Sequence, residues 1–144
     1  MRLPIVLFAT ISHLMAQNGA TAAPLTFVVD SVGDGGDVSI GDGVCDDGTG
    51  DCTLRAAIEE ANAIIGPDIV SFDILPHGDI HTIQPQSDLP DITDPIRIDG
   101  YTQPGSKPAT NVAPASLKIV LDGSAAAAAG PAPLWWRGES LGSA

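Results

Sequence analysis

Basic residues are scarce in this chain: six Lys and Arg stand against eighteen Asp and Glu over 144 residues, a formal net charge of −12. Nucleic acid and anionic lipid are held by clustered Lys and Arg, so neither is expected as a partner. Cysteine is limited to Cys45 and Cys52, with six residues between them. That spacing is not the two-residue spacing of a redox pair, and a zinc site would need further Cys or His ligands close by. After the first sixteen residues no apolar run is long enough to cross a membrane. There is no G-x-S-x-G, no H-E-x-x-H and no phosphate-binding glycine loop, so the sequence identifies no catalytic residue. Glu is rare as well, at three residues against fifteen Asp, which points away from long helices. Asp favours turns, where its short side chain accepts from nearby backbone N–H groups. With 16 Gly and 12 Pro, the composition describes many turns.

The N-terminus carries an export pattern. Met1 and Arg2 give a short basic start, residues 3–16 are mostly apolar despite Pro4 and His13, and Ala20-Thr21-Ala22 places small residues where a signal peptidase reads. The expectation is a signal peptide over 1–22 and a mature chain starting near Ala23, because Pro24 directly after the cut would be unfavourable. Loss of Arg2 leaves five basic against eighteen acidic residues, a net charge of −13. Such a chain suits an extracellular, cell-surface or periplasmic location, with no transmembrane segment once the leader is gone. In that setting two cysteines read as a disulfide.

Periodicity divides the rest. Residues 25–30 are β-branched and aromatic and read as a strand; 31–51 form a polar Gly/Asp loop. From Thr53 the apolar residues Leu54, Ala57, Ile58, Ala61, Ile64 and Ile65 recur at helical spacing, with Arg55, Glu59, Glu60 and Asn62 elsewhere. This predicts an amphipathic helix of about three turns, capped by Thr53 and stopped by Gly66-Pro67. Short strands are expected at 68–75, 80–84, 92–93, 95–99 and 117–122. Two architectures fit them, a small sandwich or the rungs of a parallel β-helix. Residues 125–144, with the Ala125–Ala129 run, read as a disordered or aberrant tail. Within it, Trp135-Trp136 suggests a sugar-stacking pair, but an exposed tail without function is the simpler reading.

The block CTLRAAI, Cys52 to Ile58, preceded by GDGVC, Gly41 to Cys45, resembles the CSLREA-type N-terminal module of bacterial exported proteins with right-handed parallel β-helix repeats. The stretch from Ile92 to Gly105 and the stretch from Leu117 to Gly123 are similar to the first rungs in those proteins, so the likeness covers about residues 25–125. It implies a mainly β fold, residues 23–124 forming an N-terminal cap and first coils of a β-helix closed by the amphipathic helix. It implies a structural, adhesion or interaction role at the cell surface, with glycan or protein as partner. Two departures stand out. Thr53 keeps the cap, but Ala56 replaces the Glu that would complete a capping box. The chain also ends soon after Asp122-Gly123, so a truncated fragment is one expectation.

Three chemical readings remain. Asp42, Asp46, Asp47 and Asp51 are weak calcium candidates, because their spacing is not that of an EF-hand and the terminal Glu is lacking; a solvated acidic loop, one member of which Arg55 neutralises, explains them as well. His77 and His81 are four apart but flank Gly78 in a strand-like segment and read as surface polar residues. A polysaccharide lyase or hydrolase would draw on Asp94, Arg97, Asp99 and Lys118, each of which also has a turn or strand role. The sequence leaves a structural protein, such an enzyme and a calcium-dependent binding module in contention, and no cofactor is expected beyond that calcium.

Overall fold

The computed structural model describes residues 23–128. The leader over 1–22 and the Trp135-Trp136 pair lie outside them. Five strands, two helices and a 3-10 turn follow in order: β1 (Thr26–Val29), α1 (Leu54–Ala63), β2 (Asp68–Phe72), β3 (His81–Ile83), β4 (Ile96–Ile98), the turn Gly100–Thr102, β5 (Ile119–Leu121) and α2 (Ser124–Ala128).

Helix α1 begins where the sequence places it. Thr53 has extended backbone angles and its hydroxyl accepts from the Ala56 N–H at 3.1 Å, which satisfies one of the first-turn donors. Leu54, Ala57, Ile58 and Ala61 are buried, as their spacing requires. The helix ends earlier than expected: Ile64 is the C-cap, and Ile65, read as part of the apolar face, is 85% exposed. Gly66 is then fixed by its N–H, which donates to Asp94 Oδ2 at 2.8 Å.

All strand pairs are parallel. One sheet has the order β1-β2-β4, with Thr26 opposite Ile69 and Asp68 opposite Ile96; the other is β3-β5, with His81 opposite Ile119. The start of a right-handed β-helix is therefore not what forms. The strands lie in two separate small sheets, and no closed or solenoid sheet runs through the described residues. Alternation reveals that a segment is a strand, but it does not choose its sheet partners.

Side chains take over backbone pairing where further strands were expected. Residues 92–93 are not a strand; the Thr93 N–H donates to Asn62 Oδ1 at 2.8 Å, and Asn62 Nδ2 donates to the Asp91 carbonyl at 2.8 Å. Beyond β2, Ile74 is paired by a side-chain amide: Gln103 Oε1 accepts its N–H at 2.8 Å and Gln103 Nε2 donates to its carbonyl at 2.7 Å. Gln103 is 1% exposed and Ile74 3%, so no water substitutes.

The core lies where α1 meets both sheets. Phe27 and Val29 of β1, Val70 and Phe72 of β2, and Ile83 of β3 pack in one cluster with the apolar face of α1. Each such side chain contributes on the order of 1.5–3 kcal/mol by leaving water. The last strands are less covered: Ile98 of β4 is 42% exposed and Leu121 of β5 is 55%. The expected tail overlaps a short helix at its start. Ser124–Ala128 is helical, consistent with the high helix propensity of alanine, and the Ser124 N–H donates to Asp122 Oδ1 at 2.9 Å.

Replacing Gln103 with Ala strands the N–H and carbonyl of Ile74 in a dry site. The expected loss is about 2–6 kcal/mol, since each of the two orphaned groups costs about 1–3 kcal/mol. Urea unfolding measures it, and a loss within error of zero would contradict the pairing.

Candidate functional site

The loop between β1 and α1 is held by a disulfide and by many side-chain hydrogen bonds. Its far end is closed by a disulfide between Cys45 and Cys52, whose Cα atoms are 5.1 Å apart. The chain-entropy account gives such a short closure about 2–3 kcal/mol. The same end is tied to β1. The Cys52 N–H donates to Asp30 Oδ1 at 2.8 Å, and the Asp30 N–H returns a bond to the Cys52 carbonyl at 3.1 Å.

Between these ties the carboxylates work as turn formers. Asp42 accepts from the Val44 N–H at 2.8 Å, and one oxygen of Asp46 accepts from Gly48 at 2.7 Å and Gly50 at 3.0 Å. Asp47 accepts from the Thr49 N–H at 2.9 Å and from its hydroxyl at 2.6 Å. Asp51 is exposed, and its carbonyl accepts from the Asp47 N–H at 2.9 Å. Asp37, which the sequence did not single out, joins the two limbs: Oδ1 accepts from Ser39 at 2.7 Å and Oδ2 from Asp46 at 3.0 Å. No group of three or more His, Cys, Asp or Glu placed to hold a metal ion occurs among the described residues.

Helix α1 holds the loop from below. Glu60 is fully buried, and its two oxygens accept from the N–H groups of Gly41 and Gly43, the latter at 3.0 Å. Both glycines have positive φ, 95° and 84°, which side-chain-bearing residues rarely adopt. Glu59 accepts the Asp37 N–H at 2.7 Å. Thr53 does two jobs, because its hydroxyl also donates to the Gly35 carbonyl at 2.6 Å. Arg55 does not neutralise any of the four calcium candidates. It forks onto Asp34 at 3.0 and 3.1 Å and reaches the carbonyls of Asp88 at 2.9 Å and Ser87 at 3.1 Å. One guanidinium therefore clamps the loop, the helix and the segment before β4 together.

The remaining candidates are dispersed. His77 is exposed and pairs with Asp73 at 2.8 Å, whereas His81 is 8% exposed on β3, with Nε2 3.1 Å from the Pro76 carbonyl. Only His77 is the surface residue expected. Of the lyase candidates, Arg97 and Asp99 meet at 2.6 Å at the end of β4, where Asp99 also caps the 3-10 turn through the Tyr101 N–H at 3.0 Å. Asp94 serves Gly66, and Lys118 leads into β5 in the other sheet.

Glu59 and Glu60 fall outside the apolar stripe, yet they position the loop. A signal existed: Thr53, Ala56 and Glu60 are spaced by three and four, a second inward stripe beside the apolar one. Ala56 on that stripe is fully buried, so the missing capping-box Glu is a position packed shut.

Neither a family model, nor a curated protein, nor a solved structure matches this chain.

Hydrogen bonds from the Thr49 hydroxyl and then its N–H hold the Asp47 carboxyl below its usual range. A lowered folded value means that the turn is favoured above the ordinary carboxylate pKa, about 3.9, and loosens as pH falls through the folded value. In Thr49→Val the largest of these causes is removed, so the Asp47 midpoint should rise toward about 3.9 in an NMR acid titration. An unchanged midpoint would contradict the assignment.

Proposed function

We propose that this chain is an exported bacterial protein with a structural or interaction role outside the cytoplasm, related to the CSLREA-type module through its two cysteine-flanking blocks. The observation that carries the reading is the Cys45–Cys52 disulfide at the mouth of the loop. Disulfides persist in oxidising compartments and are rare in cytosolic proteins. The leader-like residues 1–22 and the acidic composition agree with that location. No helix among the described residues is long and apolar enough to cross a membrane.

A role in holding or presenting a surface is favoured over turnover by how the polar groups are used. The carboxylates of Asp94 and Asp99, and those of the acidic loop, bond backbone N–H groups of their own surroundings. Catalytic carboxylates must instead reach a substrate. A cell-surface protein or glycan is the partner class this reading implies.

The test is to express the full chain in a bacterium and fractionate it. Peptide mapping without reductant should recover Cys45 linked to Cys52 from the extracytoplasmic fraction, in protein lacking residues 1–22. Recovery of both thiols free, in cytoplasmic protein that keeps its leader, would overturn the proposal.

A further inference from the structure

The strand β2 begins with a buried acid whose charge is only half met. Asp68 is 2% exposed; Oδ1 accepts from the Leu25 N–H at 2.9 Å, and Oδ2 is buried with no partner. Its own N–H is used elsewhere, donating to the Pro95 carbonyl at 2.9 Å. A carboxylate oxygen withdrawn from water without a donor is costly, and a cation is its strongest remedy. Arg97, opposite Ile69 in the register, is committed elsewhere: it pairs with Asp99 at 2.6 Å.

What lies beside Asp68 is the start of the mature chain. Leu25, which already bonds Oδ1, is two residues from Ala23, a span of at most about 7 Å of backbone. A cavity of about 370 Å³ opens there, walled by Pro24, Pro67, Asp68, Ile69, Pro95, Ile96 and Arg97. Pro24, which directly follows Ala23, forms one of its walls.

We propose that Asp68 is the receptor for the α-ammonium group that leader removal creates on Ala23, so that processing completes the fold. The inference rests on the export reading above. Cleavage adds water across the Ala22–Ala23 peptide bond: the C–N bond breaks, Ala22 leaves as a carboxylate, and the nitrogen takes up protons to become the ammonium of Ala23. Before the cut that nitrogen is a neutral amide with one donor. Afterwards it carries a charge and three donors, two residues along the chain from the Leu25 N–H that bonds Oδ1. The precursor therefore holds a buried, half-paired carboxylate and is the less stable form, which suits a chain that must cross a membrane unfolded. After cleavage the pair fastens the start of the first strand, which already lies along the second, to Asp68.

The experiment uses the full chain recovered after export. Its N-terminus should read Ala23. Cyanate near neutral pH modifies the α-amino group in preference to Lys107 and Lys118, because its pKa of about 7.7–8.0 is far below the lysine value of about 10.4. In the native protein this reaction should be at least about tenfold slower than in urea, since the paired amine is withheld as ammonium. Blocking it should lower the Tm by about 5 °C, a shift that Asp68→Asn abolishes. Equal cyanate rates in native and unfolded protein overturn the pairing without requiring the variant to fold, and so does a terminus other than Ala23. If such an amine is found on exported, disulfide-linked protein, export stands and only the pairing fails. Protein that retains residues 1–22 removes both.

Discussion

A carboxylate buried on a helix, with backbone amides as its donors, is the constraint on which the loop architecture depends. Glu60 has no contact with water, so its charge must be met inside the protein. The donors are the N–H groups of Gly41 and Gly43, which face the helix because both residues take positive φ. The loop is wound around a side chain of α1. Every other tie then has a defined job: Thr53 bonds Gly35, Arg55 bonds Asp34, Glu59 bonds Asp37, and the disulfide returns the chain to the helix start. A burial cost at one position thereby becomes a means of specifying a conformation, since any rearrangement of the loop strands the charge.

The acidic composition takes on a different meaning in this light. A surplus of Asp suggests cation collection, but here most of the loop acids accept from N–H groups two to four residues ahead. They act as local braces. Asp68 and Glu60 extend the same chemistry to long range, one receiving the N–H of Leu25 and the other those of the loop glycines. Carboxylate-to-amide bonding thus does in this protein much of what a larger core does elsewhere. The apolar cluster around Phe27, Val70, Phe72 and Ile83 is modest.

Local signals were legible in the sequence, and non-local ones were not. The Thr53 cap, the apolar stripe of α1 and four of the five β segments expected after α1 follow from spacing and residue type over a few positions, and the disulfide from the pairing of two cysteines with an export pattern. The fifth, at residues 92–93, failed because Asn62 supplies its bonds from thirty positions away, beyond any periodicity. Gln103 and Ile74 form another such pair. The β-helix expectation failed for a related reason: strand pattern does not encode sheet membership, and the strands divide between two sheets. Glu60 is in principle readable, because its stripe with Thr53 and Ala56 has helical spacing, but a charged residue ordinarily marks an exposed face. Periodicity identified where the helix begins and could not supply what it packs against.

The most direct test of the Glu60 account is amide hydrogen exchange at Gly41 and Gly43, compared between the natural protein and Glu60→Gln. Those two amides should exchange as slowly as the buried turns of α1 in the natural protein. They should become selectively faster, by about tenfold or more, in the variant, where one acceptor oxygen and the charge are lost. Fast exchange at both glycines in the natural protein, or no change in the variant, would show that the loop is not held by the helix and would contradict the account.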